Sequence, residues 1–347
     1  MASRPRPANS REVSATPPND AANDALTAAI EQALRALVGD GVRSVRVRDG
    51  RVNVALDGGH VAPAQRGSVE TRARTALAPL VGDMAVGFVW LSGKRRRRII
   101  AVASGKGGVG KSTLSTNLAL ALMQAGRRVG LVDADIYGPS QPRLLGQDGV
   151  RPEARDNRLI PLIGPHGLPM LSVGQIVPAE QAIAWRGPMA SRALEQLLDA
   201  HWDDVETLIV DMPPGTGDVA LTMVQRFKPD GAVIVSTPQD LALIDAVRAI
   251  ALFGEVEVPI VGLVENMAGY ICPHCGEASD PFGTGGAEGE AARRGIAFLG
   301  RVPLDPHIRA SSDAGVPPVA QAGEAGAPYR AIAARIGDWL DRSAAAA

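Results

Sequence analysis

The stretch RIIAVASGKGGVGKST, residues 98–113, determines how the chain folds. Residues 99–103 are a short apolar run rich in β-branched side chains, which predicts a buried strand. Gly105 is followed by four residues and then by Gly110, Lys111 and Ser112, which is the spacing of a P-loop. Residues 114–124 then read as a helix. The motif therefore has the strand, the glycine-rich turn and the helix N-terminus that it requires.

This loop has the residue types that bind phosphate. Glycines let the backbone adopt positive φ and turn its N–H groups toward one anion, and the positive end of the helix dipole adds to that field. We expect Lys111 to reach the β- and γ-phosphates and the Ser112 hydroxyl to ligate Mg²⁺. The expected nucleotide-binding residues of the loop are Gly105, Lys106, Gly107, Gly108, Val109, Gly110, Lys111, Ser112 and Thr113. A plain turn that joins a strand to a helix is the structural alternative.

Length and composition exclude several classes of protein. The 347 residues fit one large domain or two, and a net charge of −1 gives no overall attraction to nucleic acid or to anionic membranes. The chain has only two cysteines, so it has no disulfide framework of the secreted kind. It has no run of 18 apolar residues, and residues 1–24 lack the apolar core of a signal peptide. We expect a soluble cytoplasmic protein with neither membrane nor nucleic acid as partner.

The chain divides into four regions by composition and pattern. Residues 1–23 have almost no large apolar side chains and are expected to be a disordered tail. Residues 24–93 are expected to form a small α+β domain, with elements in the order α-β-β-α-β. Residues 94–98 are a basic linker, for which a nucleic-acid or phospholipid contact is the alternative. Residues 99–342 form the predicted P-loop ATPase domain.

In this last region, strand and helix signals alternate. The fold class is therefore α/β, with a mainly parallel sheet and helices on both faces. Residues 157–162 and 168–173 are expected to form a small hairpin that flanks the sheet, and a helix is expected from residue 186 to about residue 201. Trp185 and Trp202 are interpreted as packing residues. The apolar stripe of a C-terminal helix, residues 328–342, is expected to dock on the core.

Polar side chains follow three of the predicted strands. Asp133 and Asp135 come after the strand at residues 128–132, and Asp211 comes after the strand at residues 207–210. In α/β folds ligands bind at these strand ends, and Asp211 has the Walker B position that holds Mg²⁺. Asn266 follows the strand at residues 259–264 and offers both a donor and an acceptor to an adenine edge. For each of them a role in a turn is the alternative. Asp218 is interpreted as the N-cap of the next helix.

Cys272 and Cys275 are spaced as Cys-x-x-Cys and are the only cysteines of the chain. Two thiolates at this spacing can hold one metal centre, yet zinc or a [4Fe–4S] cluster needs about four ligands. A two-fold axis that brings together the pairs of two subunits would complete the site. A structural zinc site with help from His274, and a redox-active pair of thiols, remain as alternatives.

Four segments resemble one group of ATPases. Residues 106–113, KGGVGKST, are similar to the deviant P-loop of the MinD/ParA/nitrogenase-iron-protein class. Residues 133–140, DADIYGPS, resemble switch I of the Mrp group, and residues 211–218, DMPPGTGD, resemble switch II of the same class. Residues 266–276, NMAGYICPHCG, resemble the signature of the Mrp/ApbC iron–sulfur carriers.

The resemblance implies a homodimer that closes around ATP, in which Lys106 reaches the nucleotide of the partner subunit. It implies catalysis by Lys106, Lys111 and Asp135, with Asp135 acting on the attacking water and Asp133 supporting the site. It also implies that Asn266 reads the base and that the backbone at Pro303 lines the adenine–ribose pocket.

The Mrp/ApbC signature implies a [4Fe–4S] cluster bridged by Cys272 and Cys275 of both subunits. The implied function is an iron–sulfur cluster carrier that hydrolyses ATP, with apo iron–sulfur proteins and a cluster-assembly scaffold as partners. Residues 24–93 resemble, in position, the small domain that precedes many Mrp-type ATPases. Two other functions remain open: a MinD/ParA-like positioning ATPase that binds membrane or DNA, and a zinc-stabilised regulatory nucleotide-binding module.

Overall fold

A computed structural model of the protein describes residues 19–48, 50–58, 61, 63–91, 97–176 and 187–345. Most of the predicted tail, three residues of the predicted basic linker and Trp185 lie outside the described residues. The described residues form two compact units, residues 19–91 and residues 97–345.

The N-terminal unit has the predicted order of elements. They are α1 (Asn19–Val38), β1 (Val42–Arg48), β2 (Arg51–Asp57), α2 (Pro63–Val81) and β3 (Ala85–Leu91). Strands β1 and β2 form an antiparallel hairpin, and β3 pairs parallel to β2. The apolar side chains of both helices and of the sheet pack into one core.

Helix α1 begins earlier than predicted. The sequence placed residues 19–23 in the disordered tail, whereas the structure has them in α1. Two of these five residues are alanines, which favour a helix without contributing a large apolar side chain. The absence of large apolar residues was therefore a poor guide to this boundary.

The second unit is built on an eight-stranded sheet. The strands described in this unit are β4 (Arg98–Ala103), β5 (Val129–Asp133), β6 (Ala154–Arg155), β7 (Arg158–Leu159), β8 (Leu162–Ile163), β9 (Pro169–Ser172), β10 (Thr207–Asp211), β11 (Gly231–Ser236), β12 (Ile260–Asn266), β13 (Tyr270–Ile271), β14 (Ala278–Ser279) and β15 (Phe298–Val302). The order of strands in the large sheet is β15-β12-β11-β4-β10-β5-β9-β8. All neighbouring strands of this sheet are parallel except β8 and β9, which are antiparallel.

Helices cover both faces of this sheet, as the alternating pattern predicted. They are α3 (Lys111–Gln124), α4 (Gln141–Leu144), α5 (Val173–Ile176), α6 (Gly187–Leu198), α7 (Asp218–Phe227), α8 (Asp240–Glu255), α9 (Gly286–Arg294), α10 (Pro306–Asp313) and α11 (Ala327–Ala345). Side chains of α3, α10 and α11 pack on one face, and side chains of α6 to α9 pack on the other.

The C-terminal helix docks on the core as predicted, since Ile332 and Ile336 of α11 are buried against α3 and the sheet. Trp202 is also buried, as expected for a packing residue, and its indole N–H donates to the carbonyl oxygen of Leu197 at 2.8 Å. Among the described residues, no helix is both long enough and apolar enough to span a membrane.

The predicted hairpin within residues 157–173 forms, but the prediction that it flanks the sheet is wrong. Strand β9 pairs antiparallel with β8 and also parallel with β5, so both strands extend the main sheet instead of flanking it. Met170 and Leu171 of β9 are fully buried, as a strand inside a covered sheet requires. The glycines and prolines around these short strands obscured this pattern in the sequence.

Three boundaries also differ from the sequence predictions. Arg98 belongs to β4 rather than to the basic linker, because its backbone N–H donates to Glu206 at 2.9 Å. Helix α6 ends at Leu198 instead of continuing to about residue 201. Asp218 does not cap α7: the N-cap is Gly217, and no side chain of the described residues caps this end. Asp218 is the first residue of the helix, where a carboxylate interacts favourably with the helix dipole.

Candidate functional site

The P-loop joins the end of β4 at Ala103 to the start of α3 at Lys111. Gly108 and Gly110 have φ of 77° and 81°, the left-handed conformation that favours glycine. Gly105 has a different reason, because a Cβ there would lie 2.0 Å from the backbone of Asp245 in α8. The loop therefore needs glycine for conformation at two positions and for close approach at a third.

Lys111 lies at the centre of the candidate site with only 5% of its side chain exposed. Its ammonium Nζ is 2.7 Å from Oδ1 of Asp211 and 3.5 Å from Oδ2 of Asp135. Burial alone would lower the pKa of Lys111, but the neighbouring carboxylates outweigh it and raise that pKa. Strands β4, β10 and β5 are adjacent and parallel, so their carboxyl ends bring this lysine and these carboxylates together.

Asp133, the last residue of β5, and Asp135, two residues later, are both buried and differ in their hydrogen-bond partners. Asp133 accepts from the backbone N–H groups of Asp135 and Gln141, each at 3.1 Å, and from the Ser172 hydroxyl at 2.9 Å. Burial, together with the nearby carboxylate of Asp211, raises the pKa of Asp133 to about 7. Asp135 accepts from the N–H groups of the two residues that begin the next turn, and burial raises its pKa as well.

Gln141 is a residue that the sequence analysis missed. Its side chain is fully buried, and its amide Nε2 donates to Oδ2 of Asp211 at 2.8 Å and to the carbonyl oxygen of Ser112 at 3.0 Å. Its Oε1 accepts from the Thr116 hydroxyl. Gln141 thus connects the P-loop, the segment after β5 and the end of β10. Its signal in the sequence is weak: a glutamine at the start of a short helix, eight residues after Asp133.

Ser115 was missed for a similar reason. Its hydroxyl donates to Oδ1 of Asp211 at 3.0 Å, so the hydroxyl and Lys111 share one carboxylate oxygen. Residues 111 and 115 are four apart on α3 and so lie on the same helix face. This spacing is the one sequence feature that could have indicated the contact.

The donor set around Lys111 fits Mg²⁺. The Ser112 hydroxyl oxygen is 3.4 Å from Nζ of Lys111, and the carboxylates of Asp135 and Asp211 face the same ammonium. Oxygen donors suit this ion, which usually keeps several waters and binds one or two carboxylates together with substrate phosphates. Within the part of the chain that the structure describes, no group of three or more His, Cys, Asp or Glu could hold a metal ion by itself. The residues present therefore fit Mg²⁺ bound together with a nucleotide.

Lys106 lies apart from this cluster. It is partly exposed, and its backbone carbonyl accepts from the Ser104 hydroxyl at 2.9 Å. Among the described residues, its ammonium forms no ion pair within 4.0 Å. Within the described part of the chain, the Lys106 ammonium is therefore not paired with the carboxylates that surround Lys111.

Asn266 ends β12 and contacts the P-loop directly. Its amide Nδ2 donates to the carbonyl oxygen of Val109 at 2.8 Å. In the register of the two strands, Asn266 is opposite Val302, the last residue of β15, so Pro303 lies one residue beyond the end of that strand. Both residues predicted to contact the base thus lie at the carboxyl ends of neighbouring strands, and Pro303 is exposed.

The cysteine pair lies at the turn of a small hairpin formed by β13 and β14. The backbone N–H of Cys272 donates to the carbonyl oxygen of Glu277 at 2.9 Å, and the backbone N–H of Gly276 donates to the carbonyl oxygen of Cys272 at 2.8 Å. Cys275 is exposed and Cys272 is partly exposed, and both are free thiols. Hydrogen bonds from the backbone of Cys275 and His274 lower the pKa of the Cys272 thiol. The hairpin therefore presents one thiol that ionises more readily beside a second, accessible one.

Comparison with known proteins agrees with this geometry. Residues 95–337 match the ParA family model described as NUBPL iron-transfer P-loop NTPase. An "Iron-sulfur cluster carrier protein" of Haemophilus influenzae is 52% identical over 229 residues, which cover 66% of this chain and 62% of that protein. A protein of the same description from Escherichia coli K12 is 49% identical over 247 residues, which cover 70% of this chain and 67% of that protein. The match thus spans slightly under two thirds of the first relative.

Solved structures show the same fold. A nucleotide-binding protein from Archaeoglobus fulgidus, solved in complex with ADP, has a TM-score of 0.58 and 36% identity, and the match covers 66% of this chain and 90% of that one. The cell division ATPase MinD of Pyrococcus furiosus has a TM-score of 0.55 and 24% identity, covering 70% of this chain and 99% of that one, and it supports the fold alone. Since the family model matches more than half of the chain, this protein belongs to the ParA family of NUBPL-type iron-transfer P-loop NTPases.

Proposed function

We propose that this protein is a carrier that holds a [4Fe–4S] cluster across a homodimer, and that it binds and hydrolyses ATP as it delivers the cluster to apo iron–sulfur proteins. A cluster-assembly scaffold would supply the cluster. The cluster is the cargo of the reaction, whereas ATP and Mg²⁺ act at the P-loop.

One observation carries this proposal: a P-loop with its buried carboxylates and an accessible pair of thiols lie in the same unit. The carboxylates and Lys111 meet at the P-loop, and Cys272 and Cys275 lie on a hairpin that follows the strand contacting that loop. One chain supplies only two cysteines, and a cluster of this type has four thiolate ligands. Two copies of the chain would supply all four.

The roles at the nucleotide follow from charge and position. Lys111 and the P-loop N–H groups would stabilise the negative charge on the transferred phosphoryl group. Asp135 would orient the attacking water and accept its proton while the water oxygen bonds to the γ-phosphorus and ADP leaves. Its raised pKa suits a proton acceptor. Ser112 and Asp211 would hold Mg²⁺, which neutralises charge on the phosphates when bound.

Lys106 would act in the partner's site. Its partial exposure and its lack of an ion pair among the described residues support a role outside its own cluster. In a closed dimer, its ammonium would add a positive charge next to the partner's γ-phosphate, where negative charge develops.

A role in membrane positioning fits the structure less well. A helix that binds membrane reversibly needs an accessible apolar face. In α11 the corresponding face, which includes Ile332 and Ile336, is buried against the core.

Anaerobic reconstitution tests the cargo. Wild-type protein, the Cys272→Ala variant and the Cys275→Ala variant would be incubated with iron and sulfide, and iron, sulfide, zinc and oligomeric state would then be measured. We expect four irons and four sulfides per dimer of wild type, from the stoichiometry of the cluster, and loss of the visible chromophore in both variants. Wild type that stays colourless and holds stoichiometric zinc would overturn the carrier function.

A mixing experiment tests the action of Lys106 in the partner's site. The Lys106→Ala and Asp135→Ala variants should each lose ATPase activity. In a mixed dimer, the Lys106→Ala subunit keeps its own Asp135 and receives Lys106 from its partner, so one complete site forms. We therefore expect activity to return on mixing. If Lys106 acts within its own subunit, no mixed dimer contains a complete site and the mixture stays inactive.

A further inference from the structure

The last two residues of β12 contact two different parts of the molecule. Successive side chains of a strand point to opposite faces, so Glu265 and Asn266 face different neighbours. Asn266 donates to the P-loop carbonyl of Val109 at 2.8 Å. Glu265 is fully buried and accepts from the backbone N–H groups of Gly285 at 3.1 Å and Ala287 at 2.8 Å. One strand end is thus bonded both to the nucleotide loop and to the start of α9.

The segment that carries the cysteine pair is anchored by hydrogen bonds at both of its ends. This segment leaves β12 after Asn266 and returns at Gly285, where Glu265 binds it. On the outgoing side, the backbone N–H of Ala268 donates to the carbonyl oxygen of Val302 at 3.0 Å, and the carbonyl oxygen of Gly269 accepts from the backbone N–H of Leu304 at 2.8 Å. The hairpin with Cys272 and Cys275 therefore stands between two anchor points on β12 and β15.

The anchor at Glu265 is more than a local helix cap. A surface helix usually caps its N-terminus with its own Ser, Thr, Asp or Asn, which avoids burying a charge. Helix α9 has Gly285 at its N-cap, with φ of 73°, and this N-cap residue provides no side-chain cap within the described structure. Its first turn is bonded instead by a buried carboxylate from the strand that contacts the P-loop. The Arg301 Nε, 3.1 Å from Glu265, compensates that charge, and Arg301 also pairs with Glu288 of α9.

The outgoing side of this segment begins with a residue in a constrained conformation. Met267, directly after Asn266, has φ of 59°, which is uncommon for a residue other than glycine. Such a conformation persists where surrounding contacts hold it, and it clusters at binding sites and switch regions. A movement of Asn266 would therefore pass to the cysteine hairpin through a short constrained segment on one side and through Glu265 on the other.

We infer that Glu265 is a positioning residue that couples nucleotide binding at the P-loop to the placement of the cysteine pair. The inference rests on the proposed function in that it takes the thiols as the cargo site. A nucleotide changes what Asn266 contacts, and the adjacent Glu265 carries that change to the start of α9 and the returning end of the cysteine segment. If the nucleotide changes the affinity of the thiols for a ligand by a given factor, linkage requires that this ligand change the affinity for the nucleotide by the same factor.

The test measures thiol reactivity in metal-free protein, so it does not depend on cluster binding. The rates at which iodoacetamide modifies Cys272 and Cys275 would be followed by mass spectrometry, with and without Mg²⁺ and ADP. In wild type we expect the nucleotide to change the rate at one or both thiols by at least about fivefold, the lower end of typical coupling between sites. In the Glu265→Gln variant this ratio should fall to below about twofold, although ADP still binds.

Glu290→Gln is the matched control. Glu290 is also a buried carboxylate and lies on α9, the helix whose start Glu265 binds. Its ion pairs are with Arg293 and Arg294 of α9 itself. This variant should keep the wild-type ratio. Arg301→Met, which removes one partner of Glu265 at a partly exposed position, should lower the ratio part of the way. That variant decides the matter if Glu265→Gln does not fold.

Three results would overturn the inference: a wild-type ratio near one, an unchanged ratio in the Glu265 and Arg301 variants, or an equal loss in the Glu290 control. None of them bears on whether wild type holds iron and sulfide, which the reconstitution measures separately. Failure of the coupling and failure of the carrier function are therefore distinguishable.

Discussion

Replacing Gln141 with leucine should destabilise the P-loop unit strongly, although leucine has a similar volume and the position is fully buried. The side chain of Gln141 makes three hydrogen bonds, to Asp211, Ser112 and Thr116. The first is to a buried carboxylate, and the other two are to neutral groups. Leucine can make none of them and leaves Oδ2 of Asp211 without this donor.

The size of the effect follows from these contacts. A hydrogen bond to a charged group contributes about 1.5–3 kcal/mol and a neutral one about 0.5–1.5 kcal/mol. The three together predict a loss of about 2.5–6 kcal/mol in the free energy of unfolding. Domains are stable by about 5–15 kcal/mol, so a loss of this size should clearly lower the midpoint of unfolding in urea.

Gln147→Leu is the matched control for this experiment. Gln147 is 4% exposed, and its buried Oε1 has no hydrogen-bond partner within the described residues. Its replacement should cost less than about 1 kcal/mol, because little hydrogen bonding is lost. Urea unfolding of both full-length variants, followed by circular dichroism, gives the comparison. If Gln141→Leu costs no more than Gln147→Leu, the network around Gln141 does not stabilise the protein as argued.

Two further effects follow from single residues. Because burial raises the pKa of Asp133 from 3.8 to about 7, the folded protein binds more protons than the unfolded chain in that interval. Its free energy of unfolding should therefore fall as pH rises toward 7, by at most about 1.4 kcal/mol per pH unit, and Asp133→Asn should flatten this slope in urea unfolding. Gly130→Ala would place a Cβ 2.7 Å from the Trp202 ring, so we expect a loss of about 1–3 kcal/mol. In the Gly254→Ala variant of α8, the added Cβ has no atom of the described residues within 4 Å, so neither the free energy of unfolding nor the thermal midpoint should fall.

The sequence predicted those parts of the site that depend on local patterns. The P-loop combines the end of a strand, a glycine-rich turn and the start of a helix within sixteen consecutive residues, so its conformation follows from the local sequence. Asp133 and Asp211 were found because an acidic residue after a buried apolar run is visible in the sequence. The parallel sheet then brings these separate strand ends together, as the alternating pattern predicted.

Contacts between distant segments could not be predicted in the same way. Gln141 and Glu265 have ordinary sequence surroundings, and their roles depend on which groups the fold places within 3 Å of them. Asp218 shows the opposite error, since it has the residue type of an N-cap but lies one position inside α7. The two short strands β8 and β9 join the sheet because β5 offers a free edge, which no local pattern reveals.

The charges at the P-loop explain why one cluster can both destabilise the fold and prepare it for its ligand. The buried carboxylates of Asp133, Asp135 and Asp211 all interact electrostatically with a single buried ammonium, that of Lys111. With all four groups ionised, the formal charge is 1 − 3 = −2, and burying such an excess is unfavourable. A proton on Asp133 relieves part of this excess negative charge below pH 7, and a divalent cation bound with nucleotide would relieve it at higher pH.

We therefore expect Mg²⁺ with ADP to raise the free energy of unfolding more at about pH 8 than at about pH 6. A ligand present at about 100 times its Kd raises the free energy of unfolding by about 2.7 kcal/mol. The Asp133→Asn variant separates this effect from titration of the nucleotide itself. In this variant, the stabilisation by Mg²⁺ with ADP should differ less between pH 8 and pH 6 than it does in wild type. An identical difference in wild type and variant would mean that Asp133 does not hold the proton that the ligand displaces.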